Sequence, residues 1–225
     1  MDMCRWLGLG ERAGRQLVVL SVLACTLLTF RVAFTGEIRF GFLVWNLFLA
    51  WIPFWIALAI ERLAIRTQPG SGTLLIPVAL WALFLPNAPY ILTDIVHLRR
   101  SSMAMLPWDT LLILSFALPA LALGLLSLAR IHRLVETRVG QAAGWVFVAT
   151  MLLLTGTGMW LGRVVRLNSW DAILRPGASI ERTLEALGAP GGRFTAVGFT
   201  VAFGALLLGT YLMSVAHTRR RIRSR

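Results

Sequence analysis

The stretch Thr110-Leu-Leu-Ile-Leu-Ser-Phe-Ala-Leu-Pro-Ala-Leu-Ala-Leu-Gly-Leu-Leu-Ser-Leu-Ala129 contains no ionisable side chain. As an α-helix, about 20 residues of this kind span the hydrocarbon core of a bilayer, which is ~30 Å thick. Inside lipid the backbone N–H and C=O groups have no water to bond, so the segment must satisfy them within a helix. The stretch therefore predicts a transmembrane helix.

Five further apolar segments surround this one. The six predicted spans cover about residues 16–34, 41–60, 73–98, 110–129, 141–161 and 194–216. Only 14% of the residues are charged and 57% are hydrophobic, whereas a soluble domain carries about 25% charged residues. This composition excludes a soluble enzyme and a disordered chain. We expect an all-α, polytopic membrane helix bundle that forms a single transmembrane domain over residues 1–225 and has the lipid bilayer as its first partner.

The charge of the chain comes from arginine. It has 22 Arg and no Lys against 10 acidic residues, a net charge of +12. Because the arginines stand between apolar runs, they indicate membrane topology, and we expect no nucleic-acid partner. With the N-terminus inside, 13 arginines fall on the inner side: Arg5, Arg12, Arg15, Arg62, Arg66, Arg130, Arg133, Arg138, Arg219, Arg220, Arg221, Arg223 and Arg225. Nine fall outside: Arg31, Arg39, Arg99, Arg100, Arg163, Arg166, Arg175, Arg182 and Arg193. This bias predicts a multi-pass protein of the bacterial inner (cytoplasmic) membrane with both termini in the cytoplasm.

Cysteine and histidine give no sign of a metal or cofactor site. Cys4 and Cys25 form no C-x-x-C motif, and no two histidines stand at ligand spacing. We therefore expect no cofactor and no metal. His132 and His217 stand among the inner arginines and are expected to be ordinary interfacial residues.

The third segment contains an unusual polar stretch. Pro86 and Pro89 each lack a backbone N–H, so they are expected to break or kink the helix. Polar side chains then recur at helical spacing, namely Asn87, Tyr90, Asp94 and His97, with Thr93 beside them. Ionisable residues in a membrane segment usually face a partner or a water-filled cavity. This stripe is therefore a candidate polar pocket, with Asp94 and His97 as candidate general bases.

A second polar stretch closes the fifth segment. Arg163 and Arg166 are one turn apart, and two guanidinium forks at this spacing suit a carboxylate or a phosphate. The third and fifth segments both run outward, so their polar ends reach the same surface. We expect this outward-facing pocket to gather Asp94, His97, Asp109, Arg163, Arg166 and Asp171, together with Asn87, Tyr90, Thr93, Trp108, Asn168 and Trp170.

Two further signals concern packing and the longest connection. Gly158-x-x-x-Gly162 is a spacing that lets helix backbones approach closely. Residues 162–193 form the outer connection. Their caps and apolar spacing predict short amphipathic helices that lie on the outer surface of the membrane or fold over the bundle.

Both polar stretches carry a family resemblance. Leu85-Pro-Asn-Ala-Pro-Tyr-Ile-Leu-Thr-Asp-Ile-Val-His-Leu98 and Gly158-Met-Trp-Leu-Gly-Arg-Val-Val-Arg-Leu-Asn-Ser-Trp-Asp171 resemble a bacterial integral-membrane family, domain of unknown function 1361. That pattern usually has Tyr where Trp160 stands and an aromatic residue where Leu167 stands. The resemblance implies a membrane helix bundle and supplies no reaction.

Four roles fit these residues. Asp94 and Asp171 can pair with Arg163 and Arg166 as a structural ion-pair latch, or the arginines can hold an anionic lipid headgroup or metabolite. A membrane-embedded enzyme acting at the outer leaflet would use Asp94 or His97 as its base. A small transporter or channel component would use the broken helix as its site. The sequence leaves the choice, the substrate and the oligomeric state open.

Overall fold

Six helical segments of the computed structural model are long and apolar enough to cross a membrane: Ala13–Thr35, Phe42–Arg66, Gly72–Arg100, Leu106–Val139, Gln141–Val165 and Gly192–Val215. The structure describes the backbone of residues 3–67 and 71–223 and the side chains of residues 13–66 and 72–215. Within these ranges there is no β-strand. The predicted all-α polytopic membrane bundle is therefore confirmed, and each span overlaps its predicted segment.

The elements follow in a simple order. They are α1 (Met3–Thr35), α2 (Phe42–Thr67), a 3₁₀ turn (Ser71–Leu74), α3 (Leu75–Phe84), α4 (Asn87–Tyr90), a 3₁₀ helix (Ile91–Arg100), α5 (Leu106–Val139), α6 (Gln141–Trp160), one π-helical turn (Leu161–Val165), α7 (Asp171–Leu174), α8 (Pro176–Gly188) and α9 (Gly192–Arg223).

Helix α5 is the centre of the bundle, because it packs against α1, α2, α4, the 3₁₀ helix and α6, while α9 packs against α6. One apolar core lies between α1, α2 and the first half of α5, and a second lies between α3, α6, α9 and the second half of α5. Successive spans alternate in direction. The ends of α1, the 3₁₀ helix and α6 therefore meet the beginnings of α2 and α5 at one end of the bundle, which we call the site end.

The third span is broken as predicted. Helix α3 ends at Phe84, and Leu85 and Pro86 form a turn before α4. Two glycines of the fifth span make room for this break. A Cβ at Gly158 would overlap the Pro86 ring, and one at Gly162 would lie 2.9 Å from the Tyr90 ring. The Gly158-x-x-x-Gly162 spacing therefore serves close packing of α6 against the broken span.

The fourth span is longer than predicted. The prediction ended it at residue 129, but α5 continues to Val139 and stops at Gly140, whose φ of 94° suits glycine. Arg130 and His132 consequently lie inside a helix and are buried. Arg130 Nη1 lies 3.7 Å from Glu61 Oε2, and the His132 ring hydrogen-bonds to Tyr211. The prediction that His132 is an ordinary interfacial residue is wrong, because hydropathy does not show that polar residues pair inside the bundle.

The connection after the fifth span contains the two short helices that were predicted, α7 and α8. Their position on a membrane surface stays a prediction. Several residues named in the sequence analysis have side chains outside the described residues: Cys4, Arg5, Arg12, His217, Arg219, Arg220, Arg221, Arg223 and Arg225.

We expect Gly158→Ala to destabilise the protein, because the added methyl group overlaps the Pro86 ring. Overpacking of this kind costs about 1–3 kcal/mol. Thermal unfolding in a mild detergent measures the loss. Gly209→Ala is the matched control, since a Cβ there meets nothing within 4 Å. Equal melting temperatures for the two variants would contradict the proposed close packing.

Candidate functional site

A cavity of about 750 Å³ lies at the site end, between α2, the broken third span and the end of α6. Its wall combines apolar side chains with a large share of polar and basic ones. The lining residues are Trp45, Asn46, Leu49, Leu83, Pro86, Asn87, Tyr90, Val96, His97, Arg99, Arg100, Gly158, Leu161, Gly162, Arg163, Arg166, Leu167, Asn168, Ser169 and Ala172. Several of them, including Arg99 and Arg166, are exposed, so the cavity opens to the surface.

Asn87 stabilises the break that forms one wall. Its amide Nδ2 donates to the carbonyl oxygen of Phe84 at 3.0 Å and to Ser169 Oγ at 2.9 Å. The first bond satisfies a carbonyl at the end of α3, as predicted, and the second ties the broken span to the loop after α6. Asn87 therefore holds the two sides of the cavity together.

The segment after Tyr90 is a 3₁₀ helix, whereas the sequence pattern suggested a continuing α-helix. With three residues per turn, side chains three apart lie one above the other. Asp94, His97 and Arg100 therefore share one line. His97 and Arg100 line the cavity, while Asp94 is buried, with 1% of its surface exposed. Runs of 3₁₀ helix this long are uncommon.

Asp94 and Arg163 form a direct ion pair, which we call the latch. Arg163 Nη2 donates to Asp94 Oδ1 at 2.5 Å, and Arg163 Nε donates to Thr93 Oγ1 at 2.9 Å. The guanidinium also lies 4.8 Å from the centre of the Tyr90 ring, a cation–π distance. Asn46 Nδ2 donates to the second carboxylate oxygen at 2.9 Å. Both oxygens of the buried carboxylate therefore have partners, as buried charge requires.

His97 lies beside the latch but is not bonded into it. Its Nε2 is 3.8 Å from Asp94 Oδ1, beyond hydrogen-bond distance, and its ring packs 4.8 Å from that of Phe42. His97 lines the cavity. Of the two candidate general bases, His97 alone faces the cavity, because Asp94 is covered by Arg163 and Asn46.

Arg166 has an unusual backbone. After the π-helical turn, it adopts the left-handed conformation with φ 61° and ψ 41°, the only positive φ at a non-glycine residue in the described chain. This conformation costs a non-glycine residue about 1–2 kcal/mol. Such outliers, and π-helical turns, concentrate at functional sites. The turn ends the helix and puts Arg166 on the wall of the cavity.

The cavity is strongly basic. Within the described part of the chain, the guanidinium groups of Arg99, Arg100 and Arg166 form no hydrogen bond or ion pair, and no Asp or Glu lines the cavity. The latch neutralises Arg163 only. Three cationic side chains therefore share one opening without a counter-charge from the described residues.

Asp109 does not join this cavity. It is fully buried, accepts from Arg31 Nε at 2.7 Å and from Arg39 Nη2 at 3.2 Å, and also accepts from Ser101. The two guanidinium groups also lie 4.7 and 4.8 Å from the centre of the Phe40 ring. Asp109 is therefore paired with arginines, as a buried carboxylate requires. Its partners come from α1 and from the α1–α2 connection because α1 packs on α5.

Trp108, Asp171 and Trp170 also lie outside the cavity lining. Trp108 is exposed and borders a small apolar groove between α1 and α5, so its predicted place in the polar pocket is corrected. Asp171 Oδ2 accepts from the backbone N–H of Asn168 at 2.7 Å. That hydrogen bond holds the pKa of Asp171 below its usual range. Asp171 therefore stabilises the loop that precedes α7. The Trp170 ring packs edge-on against that of Trp45, 6.2 Å away.

A model of the family described as "Protein of unknown function (DUF1361)" matches residues 45–209. The chain belongs to this family. The matched range includes every lining residue of the cavity, whereas Arg31 and Arg39 precede it. No curated protein and no solved structure matches the chain.

Sequence reasoning missed several contributors to the site. The polar pattern assigns no role to Asn46, yet its side-chain amide donates a hydrogen bond to Asp94. The charge pattern assigns Arg99 and Arg100 to membrane topology, although they stand two and three residues after His97 and line the cavity. Ser169, the partner of Asn87, stands inside the second motif and could have been found there.

We expect Asp94→Asn and Arg163→Ala each to lower the free energy of unfolding. Removing one member of a buried ion pair lowers the free energy of unfolding by about 3–5 kcal/mol. We expect losses at the lower end of this range, because Arg163 is only half-buried and water reaches part of its guanidinium. The double variant should lose less than the sum, because the two side chains act on each other. Denaturant titration in detergent micelles measures all three. Asp171→Asn is the control, with an expected loss under about 1 kcal/mol. Additive losses would show that the pair is not coupled.

Proposed function

We propose that this chain is a bacterial inner-membrane protein that binds an anionic lipid headgroup or a small anionic envelope compound in the basic cavity. The observation that carries the proposal is the set of three arginines, Arg99, Arg100 and Arg166, that share the cavity without a lining carboxylate. Like charges that share one opening repel each other, and a bound anion removes that repulsion.

The arginines suit a phosphate or carboxylate. A guanidinium presents two parallel N–H donors in a rigid fork, which matches two oxygens of such a group. The strained backbone at Arg166 supports the same conclusion, because Asn tolerates this conformation better and would cost no side-chain hydrogen bond or ion pair within the described chain.

In this proposal the latch has a structural role. Arg163 and Asp94 neutralise each other and connect the broken third span to the end of α6, so they shape one wall of the cavity. Latch and anion site are therefore complementary. Binding is favoured over catalysis because Asp94 lies behind Arg163, away from the cavity, which leaves His97 as the one candidate base on the wall.

The proposal includes an orientation. The 13 to 9 distribution of arginines favours cytoplasmic termini, and the site end then faces outward. We expect a cytoplasmic reporter to be active when it is fused after Arg225, and an exported reporter to be active when it is fused within residues 179–188. Activity of an exported reporter at the C-terminus would reverse the orientation.

We expect Arg166→Asn to weaken anion binding at least about tenfold, which corresponds to ~1.4 kcal/mol. Asn tolerates the left-handed backbone, so the protein should fold with an unchanged or higher melting temperature. Binding of inorganic phosphate and of phosphatidic acid, measured by calorimetry in phosphatidylcholine nanodiscs, tests free anion and lipid headgroup separately.

Arg182→Gln is the matched control for that experiment. Arg182 is an exposed arginine of α8 and does not line the cavity. It should bind both ligands as the natural chain does. Equal binding by the two variants, or no binding of either ligand by the natural chain, would refute the proposed anion site.

A further inference from the structure

An aromatic strip runs along α2 from the mouth of the cavity. It consists of Trp45, Phe48, Trp51 and Trp55. The ring centres of Trp45 and Phe48 are 5.5 Å apart, those of Phe48 and Trp55 are 6.1 Å apart, and those of Trp51 and Trp55 are 5.7 Å apart. Such separations are those of interacting rings, so the four side chains form one continuous surface.

The strip is held in place from behind. The Trp51 indole N–H donates to Ser21 Oγ of α1 at 3.2 Å, and its ring stacks on that of Trp55. Trp45 is similarly supported by Trp170. Three members nevertheless present about half of their surface outside the protein: Trp45 with 54%, Phe48 with 46% and Trp55 with 48%. The strip is a rigid, exposed aromatic face.

Its position along the span is informative. Trp45 lines the cavity, so the strip begins where the arginines are. Trp55 is ten residues further along the helix, which corresponds to ~15 Å at 1.5 Å per residue. Tryptophan is common at the level of the lipid headgroups, and that preference accounts for Trp45. It does not account for Trp55, which lies well inside the apolar span Phe42–Arg66.

We propose that the strip seats the hydrocarbon chain of a membrane amphiphile whose phosphate group lies in the basic cavity. The inference rests on the proposed anion site and adds the class of ligand, a phosphate-bearing lipid. Charge and apolar surface are continuous here, because Trp45 belongs to both the cavity wall and the strip. A lipid has the same arrangement, with its charge at the headgroup and its chain directed into the bilayer.

The arrangement also favours a lipid over a water-soluble phosphate. The cavity wall includes Leu49, Leu83 and Leu161 beside the arginines. Inside a bilayer the gain is van der Waals contact between the chain and a fixed surface, summed over many atom pairs, and a headgroup alone cannot make this contact. A chain on the strip would gain this contact against a preorganised surface.

The test compares one phosphate group with and without chains. Dioleoyl phosphatidic acid and glycerol 3-phosphate are titrated by calorimetry against the full chain in phosphatidylcholine nanodiscs. The variant Phe48→Ala/Trp55→Ala shortens two exposed members of the strip that do not line the cavity. We expect it to weaken phosphatidic acid binding at least fivefold and to leave glycerol 3-phosphate binding within twofold.

The matched control is Phe30→Ala/Phe34→Ala on α1, a pair of aromatic residues with 75% and 79% exposure that does not line the cavity. It should bind both ligands as the natural chain does. Equal losses in the two double variants would overturn the inference.

The outcomes separate this inference from the proposed function. If Arg166→Asn abolishes binding and Phe48→Ala/Trp55→Ala leaves phosphatidic acid binding unchanged, the chain site is refuted and the anion site stands. If the natural chain binds neither ligand, both are refuted. Glycerol 3-phosphate also reports on folding, because a misfolded variant loses it. In that case the single variants Phe48→Ala and Trp55→Ala replace the double variant, and unchanged phosphatidic acid binding by both refutes the chain site.

Discussion

The ion pair between Asp94 and Arg163 is the constraint on which the site end depends. Near the end of a membrane span, a charged side chain without a partner raises the free energy of the folded protein. Removing one member of a buried pair leaves the other in that state. Pairing them requires the 3₁₀ helix of the third span and the end of α6 to lie side by side. The glycines at 158 and 162 permit that approach, because larger residues would meet Pro86 and Tyr90. Packing and electrostatics therefore favour one arrangement of the two spans.

The cavity follows from this arrangement. With Arg163 neutralised by Asp94, the remaining arginines stand on the cavity wall without acidic partners in the described chain. The π-helical turn and the left-handed Arg166 end α6 abruptly and leave open space instead of another helical turn. The aromatic face of α2 borders the same opening. A charged, partly apolar cavity at a membrane end is the geometry that we interpret as a phospholipid site.

Much of this is determined by the sequence alone, because hydropathy and backbone chemistry are local properties. Six apolar runs predict six spans, and the two prolines predict the break after Phe84. The alternation of spans brings Asp94 and Arg163 to the same end of the bundle, since each lies near the end of a span that runs in the same direction. Their pairing was expected on that ground and the structure contains it.

Only the tertiary structure decides which polar groups meet. Asp109 reaches the same end as Arg163 but pairs with Arg31 and Arg39, and Asp171 turns back to Asn168. The order of the spans does not determine these choices, because they depend on how each helix is rotated and on which neighbours it packs against. The extension of α5 to Val139 has the same origin, since buried Arg130 and His132 find partners on α2 and α9. The number and direction of the spans therefore follow from the local sequence. Packing between helices decides the ion-pair partners, the 3₁₀ helix and the left-handed backbone of Arg166.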